Sequence, residues 1–522
     1  LRIEMKNNIY KIALGVASLV FAGVSVTSCQ DAVDIVQPGQ LDDESTFKSI
    51  SDLDLYLNGI YNIVDPTNEV YISAILSDEV KPGKGSGGQE FQQHRFFFDS
   101  SDKFATNTWL IYNTVINRVN RILEGAKNVD ATRDQAKYNQ IVGQARALRA
   151  FAYLQLETYF SPNMKDDNAL GAIIFKDVPS ISQKLPRSKN AEVYAFIEED
   201  LNFASDNVLA KGANQYYVDK TVVDAIRARF YLYRGKYDLA QKYAQAVVSN
   251  SGLALTKATP IVPDDKTPIG SSAWNTAFYA DSSFNPYRQL WGDVNRGEVV
   301  FALARPARGS NSTINSLWNT NASNINGNPM WFWGRNLYNI FAKTPGDIRK
   351  YAYVDPSSKP NASYETISNT REDQLIIDKY PGKANGPLRN DFKVFRLSEM
   401  YFILAETTAQ QGQLAESAKY IKQVRDARNY EGPAAMPNYA SKQDALKDIL
   451  LERRVELALE GHRYIDLKRL ANDAGVTMDR NKTDDIVDVT NLPNNSYKYT
   501  FPIPNSEIQG NRGIIQNDGY AK

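Results

Sequence analysis

Catalysis at neutral pH usually needs an imidazole, a thiol or a cluster of metal ligands, and this chain is poor in all three. It holds two histidines, His94 and His462, and one cysteine, Cys29, in 522 residues. A Ser-His-Asp or Cys-His centre would have to use one of those two imidazoles, and no HExxH, CxxC or Cys/His zinc spacing occurs. Carboxylates are plentiful, so a glycosidase-like pair stays open, but no local motif nominates one. Gly83, Gly85 and Gly88 satisfy GxGxxG formally. The dinucleotide fingerprint also requires a preceding strand, a following helix and an acidic residue ~20 positions on. Here the flanks are Pro82 and Gln89-Glu90-Phe91, so the stretch reads as a mobile surface loop. Neither a cofactor nor a metal site is expected.

The tryptophans offer binding rather than catalysis. Five of the six (Trp274, Trp291, Trp318, Trp331 and Trp333) fall between residues 251 and 395, a stretch rich in Gly, Pro, Ser and Asn. Consecutive side chains diverge in a helix or a strand, so at least one ring of Trp331-Phe332-Trp333 is expected to face solvent or a groove. A flat ring beside Asn, Arg and Asp suits a sugar, the ring stacking on its apolar face and the polar groups taking its hydroxyls. The competing reading is a core for a long loop region.

Charge narrows the partners. Sixty Lys and Arg balance sixty Asp and Glu, which argues against nucleic acid, whose binding draws on an excess of basic charge. Residues 5–29, MKNNIYKIALGVASLVFAGVSVTSC, place Lys6 and Lys11 before an apolar run at 12–26. That run has signal-peptide length and falls short of the ~20 residues of a spanning helix. Cys29 follows Val26-Thr27-Ser28 as in a bacterial lipobox, which makes Cys29 the expected lipid attachment site, and acyl chains would anchor it stably. The polar, acidic residues 30–44 suit a tether.

The elements that must position these groups are mainly helical. Ile141, Leu148, Phe151, Ala152, Leu156 and Tyr159 recur at helical spacing with Gln144, Arg146 and Arg149 on other faces, which predicts an amphipathic helix over 131–160, stopped before Pro162. Segments 46–63, 106–126, 190–208 and 220–234 read likewise. Two stretches, 225–248 and 397–428, resemble tetratricopeptide helix pairs turning at Gly235 and Gly412, and the gap between them fits a repeat scaffold interrupted by an insertion at 251–395. A run at 298–302 is strand-like, and a second loop, 77–101, interrupts the early helices. In LLERRVELALEGHRYIDLKRL (450–470), Leu451, Val455, Ala458 and Leu459 are expected inside, with Gly461 ending the helix. Arg454, Glu456, Arg463 and Asp466 are read as an internal salt-bridge network rather than a catalytic group around His462.

Taken in order, the lipobox, ARALRAFAYLQLETYF (145–160), FRLSEMYFILAE (395–406), ERRVELALEGHRYIDLKR (452–469) and FPIPNSEIQGN (501–511) resemble the SusD/RagB family of outer-membrane lipoproteins over the whole mature chain. The resemblance implies a mostly α fold of tetratricopeptide-like helix pairs, a SusD-like α-α superhelix with a loop-rich, Trp-bearing binding face. It divides the chain into a signal peptide (1–28), a tether (29–44), an N-terminal helical region (45–250), the insertion (251–395) and a C-terminal helical region (396–522), with 45–522 one integrated domain. It also implies a non-enzymatic protein facing the cell exterior that binds a nutrient, most often an oligosaccharide, and caps a SusC-like TonB-dependent transporter. The alternatives are a peptide-binding lid of an importer, an envelope glycoside hydrolase or a lipoprotein that only scaffolds other proteins. By position, the family's site draws on loops like 77–101 and the insertion. This nominates Trp274, Trp291, Trp318, Trp331 and Trp333, with Asp78, Arg95 and Arg335 as polar partners.

Overall fold

Side-chain caps start most of the long helices. Ser49 accepts from Asp52 N at the head of α1 (Ile50–Ile63), Asp102 from Phe104 N at α3 (Lys103–Ala126) and Asp134 from Lys137 N at α4 (Gln135–Phe160). Between the first two lies α2 (Thr67–Ile75). Asp219 caps α6 (Lys220–Tyr233), which follows α5 (Asn190–Asn207). Such caps satisfy amide groups that have no partner inside the helix. The computed structural model describes residues 46–521 apart from 181–182, 260–285, 310–312, 319–328 and positions 356, 368, 384 and 387. The leader, the tether, Cys29 and Trp274 lie outside the described residues. Among those described, no helix is long and apolar enough to cross a membrane.

Both anticipated helix pairs form. α6 turns into α7 (Tyr237–Asn250) at Gly235; α8 (Arg335–Lys343) lies in the insertion; and α9 (Leu397–Gln410) turns into α10 (Leu414–Arg428) at Gly412. Both glycines hold positive φ, +71° and +80°, a region that L side chains rarely enter. α7 packs directly on α9, so the helices on either side of the insertion are neighbours in one stack. α11 (Lys442–Glu456, capped by Ser441) and α12 (Arg463–Ala474) continue it. Phe402, Ala405, Ile421, Leu446, Ile449 and Leu470 form one buried cluster across α9–α12.

Two details of α4 and α11 differ from the periodic reading. α4 is buried nearly all round from Ile141 onward, including Gln144 and Arg149. Arg149 meets Asp200 of α5 through Nε at 2.7 Å, and Tyr61 Oη donates to Gln144 at 2.7 Å. Polar residues that looked solvent-facing thus found buried partners on the helices flanking them. α11 ends at Glu456, and Leu451 is 43% exposed rather than inward. Residues 457–461 form the turn, with Leu459 and Gly461 at φ +57° and +86°.

Two short antiparallel ladders tie the loops to this stack. β1 (Val80–Pro82) pairs with β3 (Trp331–Trp333), and β2 (Val299–Leu303) pairs with β4 (Phe392–Arg396), which runs straight into α9. Beneath the second ladder, Arg396 bridges Glu298, Glu456 and Glu460, each at 2.7 Å, and Arg428 reaches Glu298 and Glu456 at 2.9 and 2.8 Å. All five side chains are buried. Arg454, Glu456, Arg463 and Asp466 are therefore all ion-paired inside the fold as expected, but to partners outside that set, Arg349 of the insertion among them. Arg463 and Arg454 turn to Asp78, and Asp466 takes Arg453.

Candidate ligand-binding face

The β1–β3 pairing brings loop 77–101 and the insertion onto one face. Beyond the ladder the two backbones stay in contact, Gly83 N donating to Met330 O at 2.7 Å and Gly85 N to Pro329 O at 3.0 Å. A Cβ on Gly83 would fall 2.3 Å from Pro329 O. The glycine spacing thus serves a close approach of two chains, not a phosphate cradle.

Beneath this face lies a layer of rings. Trp291, Trp318, Trp331 and Trp333 are each 0% exposed, which corrects the expectation of a solvent-facing platform among them. β1 holds one edge of β3, and Trp333 N donates to Leu375 O at 2.8 Å on the other. A strand covered on both faces can bury consecutive aromatic residues, and Phe332 is buried too. Trp331 lies against His94 (5.3 Å between ring centres) and Phe91 (6.4 Å). Trp333 stacks on Tyr353 and donates Nε1 to its carbonyl at 3.0 Å. Trp291 sits under the Lys379 ammonium at 4.3 Å, and Trp318 meets the edge of Tyr71 at 5.7 Å.

Two of the nominated polar partners are internal as well. Asp78 accepts from Arg463 Nε at 2.7 Å and Nη2 at 2.8 Å, and from the Asp479 amide at 2.9 Å. Burial alone would raise its carboxyl, but the Arg454 and Arg463 guanidinia hold it well below the usual carboxylate range. Arg335 donates Nη1 to Asp373 at 2.8 Å and lies 3.7 Å over the Tyr364 ring, while Lys81 takes the other Asp373 oxygen at 2.7 Å. These charges are spent on holding the loop and the insertion together, since an unpaired buried charge is costly.

Arg95 is different. It grips Asp485 through Nε and Nη2 at 2.9 and 2.8 Å, lies over Phe91 at 5.1 Å, and keeps its side chain 22% exposed. Burial works to raise the Asp485 carboxyl, and the Arg95 hydrogen bonds outweigh it and hold it low. Arg371 lies over the same Phe91 ring at 5.9 Å; it and Tyr364, which sits under Arg335, are half-buried, Glu372 is exposed, and Phe97 is 65% exposed. Sequence reasoning missed these four; a signal was present in the Phe96-Phe97-Phe98 run and in their position inside the two nominated loops. Phe97 presents open ring surface and Arg95 a donor fixed by Asp485, groups that suit a hydroxyl-rich ligand.

Neither imidazole is set for proton transfer at neutral pH. Burial pushes the His94 imidazole down to about 4, with Arg480 adding to the shift, and it packs on Trp331. His462 is likewise held well below its ordinary value by burial and by Arg229 and Arg453. Among the described residues no group of three His, Cys, Asp or Glu side chains is placed to hold a metal ion.

Comparison with known proteins agrees with this architecture. The chain matches the family described as "SusD family" over residues 310–520 and that described as "Starch-binding associating with outer membrane" over 37–232. It is 24% identical to a SusD-like protein of Formosa agariphila, over 86% of this chain and 90% of that protein. Among solved structures, a SusD superfamily protein of Bacteroides thetaiotaomicron superposes with a TM-score of 0.71 at 21% identity, covering 90% of this chain and 99% of that one. A SusD-like carbohydrate binding protein of Bacteroides vulgatus gives 0.67 at 23%, covering 90% and 98%.

Proposed function

The chain belongs to the SusD/RagB family, whose members bind without catalysis, and from that premise we propose that it is a cell-surface lipoprotein that captures an oligosaccharide and delivers it to a SusC-like TonB-dependent transporter in the outer membrane. The observation that carries the reading is the β1–β3 junction. It places the Gly-rich loop and the insertion side by side, with Arg95, Arg371, Glu372, Tyr364 and Phe97 partly or fully exposed on them and the tryptophan rings buried. In this reading the buried tryptophans support the face. Arg95 and Trp274 keep their roles as ligand contacts, Arg95 as donor and Trp274 as stacking platform. Cys29 carries the lipid.

A single site of modest affinity suffices, because a lid that shares its ligand with a transporter raises the effective concentration at the transporter's mouth. The test is incubation of the purified protein with labelled oligosaccharides, followed by separation of bound and free ligand. Retention of intact sugar that is lost in Arg95→Ala or Trp274→Ala supports the reading. Release of shorter sugars would identify a hydrolase, and retention of peptides alone would identify a peptide importer's lid.

A further inference from the structure

A cleft of about 440 Å3, built from α12, the chain just after α4 and residues 494–500, shares no residue with the face described above. Its rim carries Tyr497, 46% exposed. Gly519 lies across that ring: its φ is +86°, and a Cβ there would sit 2.4 Å from Tyr497 Cδ2. The Tyr520 ring meets Tyr497 edge-on at 5.0 Å and 79°. The plane of Tyr497 is thus fixed before anything binds, while the ring remains open to solvent.

Side-chain amides line the cleft beside it. Asn472 Nδ2 donates to Asn495 Oδ1 at 2.6 Å. Asn494 Nδ2 donates to Val476 O at 2.7 Å, and its Oδ1 is buried with no hydrogen-bond partner. The cations of the lining are all engaged. Lys165 faces Asp473 at 3.7 Å, Arg469 is held by Glu406 and Asp466, and Lys468 Nζ donates to the Thr158 and Ser161 carbonyls at the end of α4. The cleft therefore offers amides and a flat ring, and no uncommitted charge.

We propose that this cleft is a second binding site, taking one neutral sugar of one or two rings stacked on Tyr497 and hydrogen-bonded by Asn472, Asn494 and Asn495. An amide both donates and accepts, which matches a hydroxyl on either count, and the apolar face of a sugar ring suits an exposed aromatic plane. The volume falls within the ~300–1,000 Å3 of small-molecule pockets. An uncharged ligand follows from the engaged cations: Lys165 and Arg469 face carboxylates and the Lys468 ammonium points its hydrogen bonds at two backbone carbonyls, so a carboxylate or sulfate would have to displace a contact already made. The site goes beyond the loop-face reading and stands without it.

Saturation-transfer difference NMR on the full chain in detergent tests it, with a mixture of glucose, galactose, mannose, xylose, maltose and cellobiose, and with glucuronic and galacturonic acids as charged counterparts. Transfer to ring protons of at least one neutral sugar is expected. It should persist in Arg95→Ala, fall by about two- to tenfold in Tyr497→Ala, and return in Tyr497→Phe. Asn472→Ala should lower it too and carries the test if Tyr497→Ala does not fold. Transfer confined to the uronic acids, or to no sugar, would overturn the proposal. So would transfer unchanged in both cleft variants but lost in Arg95→Ala, a result that leaves the loop-face reading intact.

Discussion

Asp466 takes the guanidinium of Arg453 on both its oxygens, at 2.7 and 2.9 Å, so the last turn of α11 is clamped to the first turn of α12. Arg469 shares Oδ1 at 2.8 Å, and Asp466 and Arg453 are buried. Removing one partner of such a pair costs about 3–5 kcal/mol. Asp466→Ala should therefore unfold at clearly lower urea than the parent while the folded fraction keeps its ligand affinity. Unchanged unfolding with lost binding would make Asp466 a site residue instead.

Trp331 behaves as core in this fold, so Trp331→Ala should lose about 3–5 kcal/mol of stability. Chemical denaturation measures this directly. A variant that unfolds at the parent's midpoint but binds sugar more weakly would restore the ring as a ligand platform.

Two glycines should respond oppositely to alanine. Gly171 faces Glu157, and an added Cβ would sit 2.0 Å from Oε1, so Gly171→Ala is expected to destabilise by about 1–3 kcal/mol. Gly59 is an exposed position within α1 with nothing within 4 Å of an added Cβ. Gly59→Ala should stabilise by about 0.5–1 kcal/mol. Melting temperatures that move in the same direction would contradict this pairing.

Burial pushes the Glu157 carboxyl up from 4.5 to about 7. The folded state then holds a proton that the unfolded state has released. The group's stabilising contribution is complete below the unfolded value and is lost as pH rises through about 7, at no more than ~1.4 kcal/mol per pH unit. Glu157→Gln should flatten the melting temperature across roughly pH 4.5–7, while Glu69 and Glu79, also raised to about 7 by burial, retain part of the slope. Parallel curves for parent and variant would refute the assignment.

For the anchor, Cys29→Ala should move the protein from the membrane fraction to the soluble one. Persistence in membranes after a high-salt wash would place the attachment elsewhere.

Local pattern reached the helices and stopped at the loops. The pairs around Gly235 and Gly412 were legible because helical periodicity and a breaker glycine act over a few residues. The ladder joining Val80 to Trp333 was not, since three-residue strands far apart in the chain carry no periodicity of their own. The fate of the tryptophans depended on that ladder. Whether Trp331 faces water is decided by β1 on one side and Leu375 on the other, not by its immediate neighbours. The burial of Gln144 and Arg149 was not legible for the same reason, their partners Tyr61 and Asp200 lying on other helices. Arg95 was nominated because its loop was singled out, whereas Asp485, which fixes its direction, gave no sign in sequence.

The β2–β4 ladder has an evolutionary corollary. Residues 304–391 leave and re-enter the helical stack through one clip, where Leu397 N also closes on Glu298 O at 3.0 Å. With both ends pinned, doubling the length of a flexible loop between them adds only about 0.6 kcal/mol of closure entropy. The segment is also tied to the rest of the fold between its ends, Trp331–Trp333 on β1, Arg349 on Glu452 and Glu456, and Lys379 on Glu460, so it is the turns between these anchors that can change length while α9–α12 and their charged centre stay in register. A lineage can then vary these exposed turns one at a time, without refolding the scaffold that carries them.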